Sequence, residues 1–184
     1  MGRVALFGGS FDPPHVGHQM VMLYALATAR VERLLMVPCF RHPFDKRLQP
    51  FAQRLTMCEL AAQPFGARVE VSAIEEELGG DSRTLRTVQA LYDRGVSERL
   101  VLVIGADLLA ERERWFGYPE LARLVDFFPV GRAGHPAPPP SLALPDVSST
   151  EIRARLAREE AVTGLVPSAV EDYIAAEGLY RLPS

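Results

Sequence analysis

The sequence predicts an α/β chain: a doubly wound parallel sheet of about five strands with flanking helices, spanning 1–184 as one domain, with a small helical extension at about 149–184. Three observations predict it. Short apolar runs alternate with longer amphipathic stretches, the pattern of successive βα units around a parallel sheet. The first run, Arg3-Val4-Ala5-Leu6-Phe7, passes through a glycine pair and a proline turn into a helical stretch, which reads as a ligand-facing loop at the carboxyl end of a strand. Finally, 184 residues with 48% hydrophobic content supply one real core and too little chain for two ordinary domains.

Strands are expected at 3–8, 33–37, 68–72, 99–104 and 124–130. Helices are expected between and after them, at 16–29, about 51–62, about 82–94, a short one near 119–123, then 149–158 and 167–176. Phe51, Leu55, Cys58 and Leu60-Ala61-Ala62 give the second helix its buried face. Ser82 is placed to cap the third helix, and Ser148 or Ser149 the fifth. The proline-rich stretch 133–140 reads as a surface loop, because the chain that follows is too short to fold alone. No internal repeat is present.

The net charge of −3 and the isoelectric point near 5.8 argue against bulk nucleic-acid binding, which calls for a basic surplus. A small anionic ligand needs only a local positive cluster, and His15, His18, Arg41, His42, Lys46, Arg132 and Arg153 supply candidates. Cys39 and Cys58 have neither metal nor redox spacing and read as reduced structural thiols, as in a cytoplasmic protein. The chain opens straight into a strand without a signal peptide, and no apolar run reaches membrane-spanning length. A soluble cytoplasmic protein with no membrane partner is the expectation; the oligomeric state stays open.

The chemistry concentrates in Phe7-Gly8-Gly9-Ser10-Phe11-Asp12-Pro13-Pro14-His15-Val16-Gly17-His18. Gly8 and Gly9 let the backbone pass close to a ligand, and Pro13-Pro14 holds an extended entry to a helix starting near His15. A helix N-terminus offers backbone N–H groups and the positive end of the dipole to a polyphosphate. His15 and His18, three apart, share one face and can donate to neighbouring oxygens of one phosphate chain. Taken alone the pair also reads as two surface histidines on a tight turn. Zinc needs three or four ligands and only Asp12 is close, so no metal site is expected. Neither G-x-G-x-x-G nor G-x-x-x-x-G-K-[ST] occurs, against a dehydrogenase or a P-loop NTPase. Gly105-Ala106-Asp107 follows the fourth strand, and Ser148-Ser149-Thr150-Glu151-Ile152-Arg153 opens a late helix, where by itself it reads as an ordinary cap. One crevice at the carboxyl ends of the strands would collect all three segments.

The first segment resembles the (T/H)xGH signature of the adenylyl- and cytidylyltransferase superfamily, and Ser148 to Arg153 resembles its ISSTxIR motif. Within the superfamily the chain is most similar to bacterial nicotinate-nucleotide adenylyltransferases. The similarity continues through Ile104-Gly105-Ala106-Asp107, Trp115, Val166-Pro167 and Leu179-Tyr180-Arg181. The resemblance implies a Rossmann-like fold and transfer of the adenylyl group of ATP to nicotinate mononucleotide, giving deamido-NAD and pyrophosphate in NAD biosynthesis. It implies Mg²⁺ arriving with ATP and bound mainly by phosphates and water. Gly8, Gly9, Ser10, Phe11 and Gly105 would frame ATP. His15 and His18 would meet the α- and β-phosphates, and Ser149, Thr150 and Arg153 the outer ones, with His15, His18 and Arg153 carrying catalysis. Such chemistry needs no side-chain base, because the attacking phosphate is already ionised; alignment and charge neutralisation suffice.

Acceptor recognition would fall to Lys46, Arg83, Thr84, Asp107, Trp115 and Arg132. By resemblance Trp115 stacks on the pyridine ring and Asp107 meets the ribose. Read from the residues alone, Trp115 suits the core and Asp107 a helix N-cap. The chain departs from the family at Pro38-Cys39-Phe40-Arg41-His42-Pro43-Phe44-Asp45-Lys46, where P-P-H-K is usual, and at Ser82-Arg83-Thr84, where S-Y-T is usual. Lys46 can take the phosphate contact or sit in a solvated basic loop. Arg83 can favour an acidic base or face solvent. Nicotinamide mononucleotide or phosphopantetheine as acceptor, and a non-catalytic nucleotide sensor, are the alternatives.

Overall fold

The computed structural model describes residues 2–42, 47–132 and 142–181. The strands are β1 (Arg3–Gly9), β2 (Arg33–Pro38), β3 (Val69–Val71), β4 (Arg99–Gly105), β5 (Val125–Arg132) and β6 (Ala143–Leu144). They form one sheet in the order β3-β2-β1-β4-β5-β6, with every neighbouring pair parallel. The chain steps outward from β1 through β2 to β3, then returns to the other side of β1 for β4, β5 and β6. The reversal between β1 and β4 opens a crevice at their carboxyl ends.

The helices are α1 (Val16–Thr28), α2 (Phe51–Ala62), α3 (Ile74–Leu78), α4 (Thr84–Asp93), α5 (Ala106–Ala110), α6 (Tyr118–Leu124), α7 (Ser149–Ala157) and α8 (Ser168–Glu177). Alternate strand residues point to opposite faces, and helices cover both. Ala5, Phe7, Leu34, Met36, Val101 and Val103 meet Met22 and Ala25 of α1 and Cys58 of α2. Val4, Leu6, Leu35, Val37, Leu100 and Leu102 meet Leu85, Val88 and Leu91 of α4 and Leu121 of α6. Burial on both faces explains why the central strands read as continuous apolar runs rather than alternating ones. A third cluster joins Met57 and Ala61 of α2 to Ile152 of α7 and to Val170 and Ile174 of α8, so the C-terminal helices pack on α2.

Six strands replace the expected five. The extra one, β6, is two residues long and pairs only with Gly131 and Arg132, too short to leave a period in the sequence. Helices α3 and α5, five residues each, were also not anticipated. Leu124 closes α6 instead of opening β5. Ser82 does not cap α4: Arg83 holds that position, and the Ser82 hydroxyl accepts the Phe40 N–H at 3.0 Å. Ser148 occupies the N-cap of α7 without a side-chain capping bond. The stretch 133–140 lies outside the described residues. Both cysteines are buried and unbridged, and burial pushes the Cys58 thiol well up, keeping it protonated and inert. Among the described residues no helix is long and apolar enough to cross a membrane.

Candidate active site

The turn after β1 is shaped by packing beneath it. Phe11 takes a left-handed backbone conformation (φ 48°) before a cis Asp12–Pro13 bond. Its ring turns under the chain onto Phe7, centroids 5.3 Å apart, and meets His18 edge-on at 4.9 Å. A Cβ on Gly9 would stand 2.9 Å from that ring, which is why glycine is required there. Phe11 was expected to face ATP. Its side chain is instead in the core, leaving only its backbone for a ligand, because the turn needs an apolar floor.

His15 caps α1, and its N–H donates to Nδ1 of His18 at 3.1 Å. The two imidazoles stack with centroids 3.7 Å apart and planes 25° from parallel. Since His18 Nδ1 accepts, the hydrogen-bond pattern assigns the ring proton to Nε2. Burial, and secondarily the neighbouring His15, hold the His18 pKa well below 6.5. The ring is therefore a neutral donor through Nε2–H. Gly17 leaves room for this pair, since a Cβ there would lie 3.0 Å from His15 Nδ1. The first turn of α1 is less open than the sequence implies: the Val16 N–H donates to the Leu165 carbonyl at 3.0 Å and the His18 N–H to the His15 carbonyl at 2.9 Å.

The second motif meets the first directly. Ser149 Oγ donates to the Pro13 carbonyl at 2.9 Å, and Arg153 Nη1 to the Asp12 carbonyl at 2.7 Å. Arg153 Nη2 reaches Thr150 Oγ1 at 3.4 Å. The Asp12 carboxylate, 2% exposed, accepts from the Tyr180 hydroxyl at 2.7 Å and the Gln49 N–H at 3.3 Å. Arg54 of α2, 1% exposed, donates to the carbonyls of Ser10 and Gln49 at 2.9 Å each and to that of Phe40 at 3.4 Å. Sequence reasoning missed Arg54 and Tyr180 as site-building residues. Only the apolar setting of α2 around Arg54 hinted that its charge was internal.

Two cavities open at the switch point. The larger, about 460 Å³, is lined by Gly8, Gly9, Ser10, His18, Thr84, Gly105 and Trp115, with Cys39, His42, Glu75 and Ser82 on its walls. The smaller, about 300 Å³, is lined by His15, His18, Gly105, Asp107, Gly131 and Asp146. They share Phe7, His18, Ile104, Gly105 and Leu108. His18 thus stands where two ligand chambers meet, a geometry suited to joining two molecules end to end.

The predicted site residues divide accordingly. Trp115 packs partly on the cluster beneath α4 and also lines the larger cavity. Asp107 lies in the first turn of α5, whose cap is Gly105. Arg83 does not line either cavity: its guanidinium sits 3.7 Å from Asp81 and 5.8 Å over the Phe116 ring, at the rim. Lys46 and the side chain of Arg132 lie outside the described residues; the Arg132 backbone ends β5. Glu75, not anticipated, has its carboxylate tied by the Phe40 N–H at 3.1 Å and the Thr87 hydroxyl at 3.0 Å. Among the described residues no group of three or more His, Cys, Asp or Glu could hold a metal ion.

Comparison with known proteins defines the class. A family model described as cytidylyltransferase-like matches residues 6–155. The probable nicotinate-nucleotide adenylyltransferase of Anaeromyxobacter dehalogenans (strain 2CP-C) is 49% identical, over 97% of each chain. The nicotinate-nucleotide adenylyltransferase of Bacillus subtilis (strain 168) is 32% identical, over 98% of this chain and all (100%) of the relative. The chain belongs to the nicotinate-nucleotide adenylyltransferase family. A Plasmodium falciparum nicotinic acid mononucleotide adenylyltransferase complexed with NaAD has the same fold, with a TM-score of 0.83, 19% identity and 98% of each chain covered.

Proposed function

We infer that the protein is an ATP-dependent adenylyltransferase acting on nicotinate mononucleotide in NAD biosynthesis. A phosphate oxygen of the mononucleotide attacks the α-phosphorus of ATP, the bond to the bridging oxygen breaks, and deamido-NAD and pyrophosphate leave. The observation that carries this reading is the position of His18 at the junction of two cavities, with its Nδ1 taken by the His15 N–H. In it the mononucleotide takes the larger cavity and ATP the smaller, so their phosphates converge on His18; Gly8, Gly9 and Ser10, expected to frame ATP, then face the mononucleotide, and Asp107, expected on the mononucleotide, faces ATP.

In this reading His18 Nε2–H donates to an α-phosphate oxygen, where charge grows as the phosphorus becomes five-coordinate. His15 adds a second contact on the same chain. Arg153, with N–H groups to spare beyond Asp12 and Thr150, meets the outer phosphates together with Ser149 and Thr150. The donors of the two motifs are imidazoles, a guanidinium and hydroxyls, which suit phosphate oxygens, while Asp107 and Asp146 are the carboxylates of the smaller cavity. Mg²⁺ would arrive with ATP, where it would lower the charge of the triphosphate. Trp115 stacks on the pyridine ring, and Asp107 meets a ribose. The N-terminal end of α4, with the Thr84 hydroxyl, faces the nicotinate carboxylate, and Arg83 at the rim favours the acid over the amide. Lys46 and Arg132 keep their assignment to the mononucleotide from sequence alone. A cytoplasmic location belongs to the same proposal, since the chemistry draws on small-molecule pools.

The test is pyrophosphate release by purified protein and MgATP with nicotinate mononucleotide, nicotinamide mononucleotide and phosphopantetheine in parallel. Preference for nicotinate mononucleotide is expected. Preference for the amide would keep the mechanism and overturn the acceptor. Activity with phosphopantetheine alone would overturn both cavity assignments, and ATP binding without turnover would make the protein a sensor.

A further inference from the structure

The two phosphate-handling motifs hang on one dipeptide. Ser149 binds the Pro13 carbonyl and Arg153 the Asp12 carbonyl, across 136 and 141 residues of sequence. That dipeptide is held from behind by the Asp12 side chain, whose Oδ1 accepts the Tyr180 hydroxyl at 2.7 Å. The other oxygen lies 4.0 Å from Arg153 Nη1, outside hydrogen-bond range. Tyr180 follows α8 and takes a left-handed backbone conformation (φ 65°). A non-glycine residue keeps that conformation only where its surroundings over-determine it. Here the surroundings are buried Leu179, whose N–H donates to the Ile174 carbonyl at 3.0 Å, and the Asp12 contact itself. Burial and the facing carboxylate push the Tyr180 phenol upward, so it stays protonated and donates.

We propose that Tyr180 is a positioning residue for adenylyl transfer: by satisfying the Asp12 carboxylate, it leaves Arg153 set on the Asp12 carbonyl with its remaining N–H groups directed to the triphosphate. This rests on the reading in which Arg153 meets the outer phosphates. Without the hydroxyl, a buried carboxylate loses its shortest donor, and the nearest cation able to replace it is Arg153. Buried carboxylates demand donors. The guanidinium would be drawn across the 4.0 Å gap and away from the position at which it neutralises charge. Small misplacements of this kind cost turnover more than ground-state binding.

The test is Tyr180→Phe, which keeps the ring and removes the hydroxyl. At least about a tenfold fall in kcat is expected, with KM for nicotinate mononucleotide within about twofold, because neither Asp12, Arg153 nor Tyr180 lines the larger cavity. In an Arg153→Lys background the same change should cost little more, since both variants act through one group. Tyr173→Phe, in the same C-terminal cluster, should leave kcat unchanged. Should Tyr180→Phe fail to fold, the double variant Tyr180→Phe/Asp12→Asn, which has no buried carboxylate left to draw Arg153, should fold and turn over faster than Arg153→Lys; a kcat as low as that of Arg153→Lys overturns the proposal. Wild-type kcat in Tyr180→Phe, or losses that multiply with those of Arg153→Lys, overturns the proposal while leaving the assigned reaction intact. A wild-type protein that releases no pyrophosphate from MgATP and nicotinate mononucleotide defeats the reaction and this proposal with it.

Discussion

The turn between β1 and α1 and the walls of the larger cavity serve neighbouring ligands but are built in opposite ways. The turn is tied by bonds that span the whole chain: Arg54 to Ser10, Ser149 to Pro13, Arg153 to Asp12 and Leu165 to Val16. The wall at Trp115 rests on local structure. Trp115 closes a single 3₁₀ turn, and beside it Phe116 is 62% exposed and Arg83 lies 3.7 Å from exposed Asp81 and 5.8 Å over the Phe116 ring. Groups that must meet developing charge at a phosphorus are fixed from far away, where ångström placement matters. Groups that choose the acceptor are carried on short, shallowly packed segments, which open at lower free-energy cost.

The comparison breaks first at Arg54. Arg54→Met removes the donors of three half-buried carbonyls, all of them in the loops after β1 and β2. A loss of at least about 3 kcal/mol in unfolding free energy is expected from urea titration. A loss below about 1 kcal/mol would mean the turn holds its shape without long-range support. Next comes His18. His18→Ala should lower kcat at least about a hundredfold, some ~2.7 kcal/mol of transition-state stabilisation, with modest change in KM. Near-wild-type turnover would remove His18 from the chemistry. The same ring sets an acid dependence. Its folded pKa lies below 6.5, so as pH falls through 6.5 the unfolded chain gains a proton that the folded one refuses. Stability is therefore complete above 6.5 and drains away toward the folded pKa, by up to about 1.4 kcal/mol per pH unit from this group. Urea midpoints at about pH 7 and about pH 5.5 should separate wild type from His18→Gln by that slope; parallel lines would mean His18 titrates normally. The smallest effect is on the walls. Trp115→Ala should raise KM for the mononucleotide about tenfold and KM for ATP less than about twofold. Equal effects on both would assign Trp115 to the core alone.

What the sequence disclosed follows the same division. Strands β1, β2 and β4 and helices α1, α2 and α7 were legible within a residue or two, because burial fixes their period. Strand β6 and helices α3 and α5 were not, since two to five residues cannot express one. In the candidate site, His15, His18, Ser149 and Arg153 were singled out by the resemblance of their two motifs, and the structure brings those two segments together. Tyr180 and Arg54 escaped, because their partners lie 168 and 44 residues away, and the apolar setting of α2 around Arg54 was the single local hint. Arg83 was placed beside the acceptor from its neighbours Ser82 and Thr84. The structure turns it outward at the rim, where Asp81 and Phe116 compete for it.

The dipeptide Asp12–Pro13 also imposes an order of events on synthesis. A chain that emerges from its N-terminus makes β1 and its turn early, while Ser149, Arg153 and Tyr180, which fasten that turn, follow more than a hundred residues later. Until they arrive, the Asp12 carboxylate lacks its short donor, the Tyr180 hydroxyl. A chain interrupted before α7 would carry both histidines but lack the residues that fasten their turn.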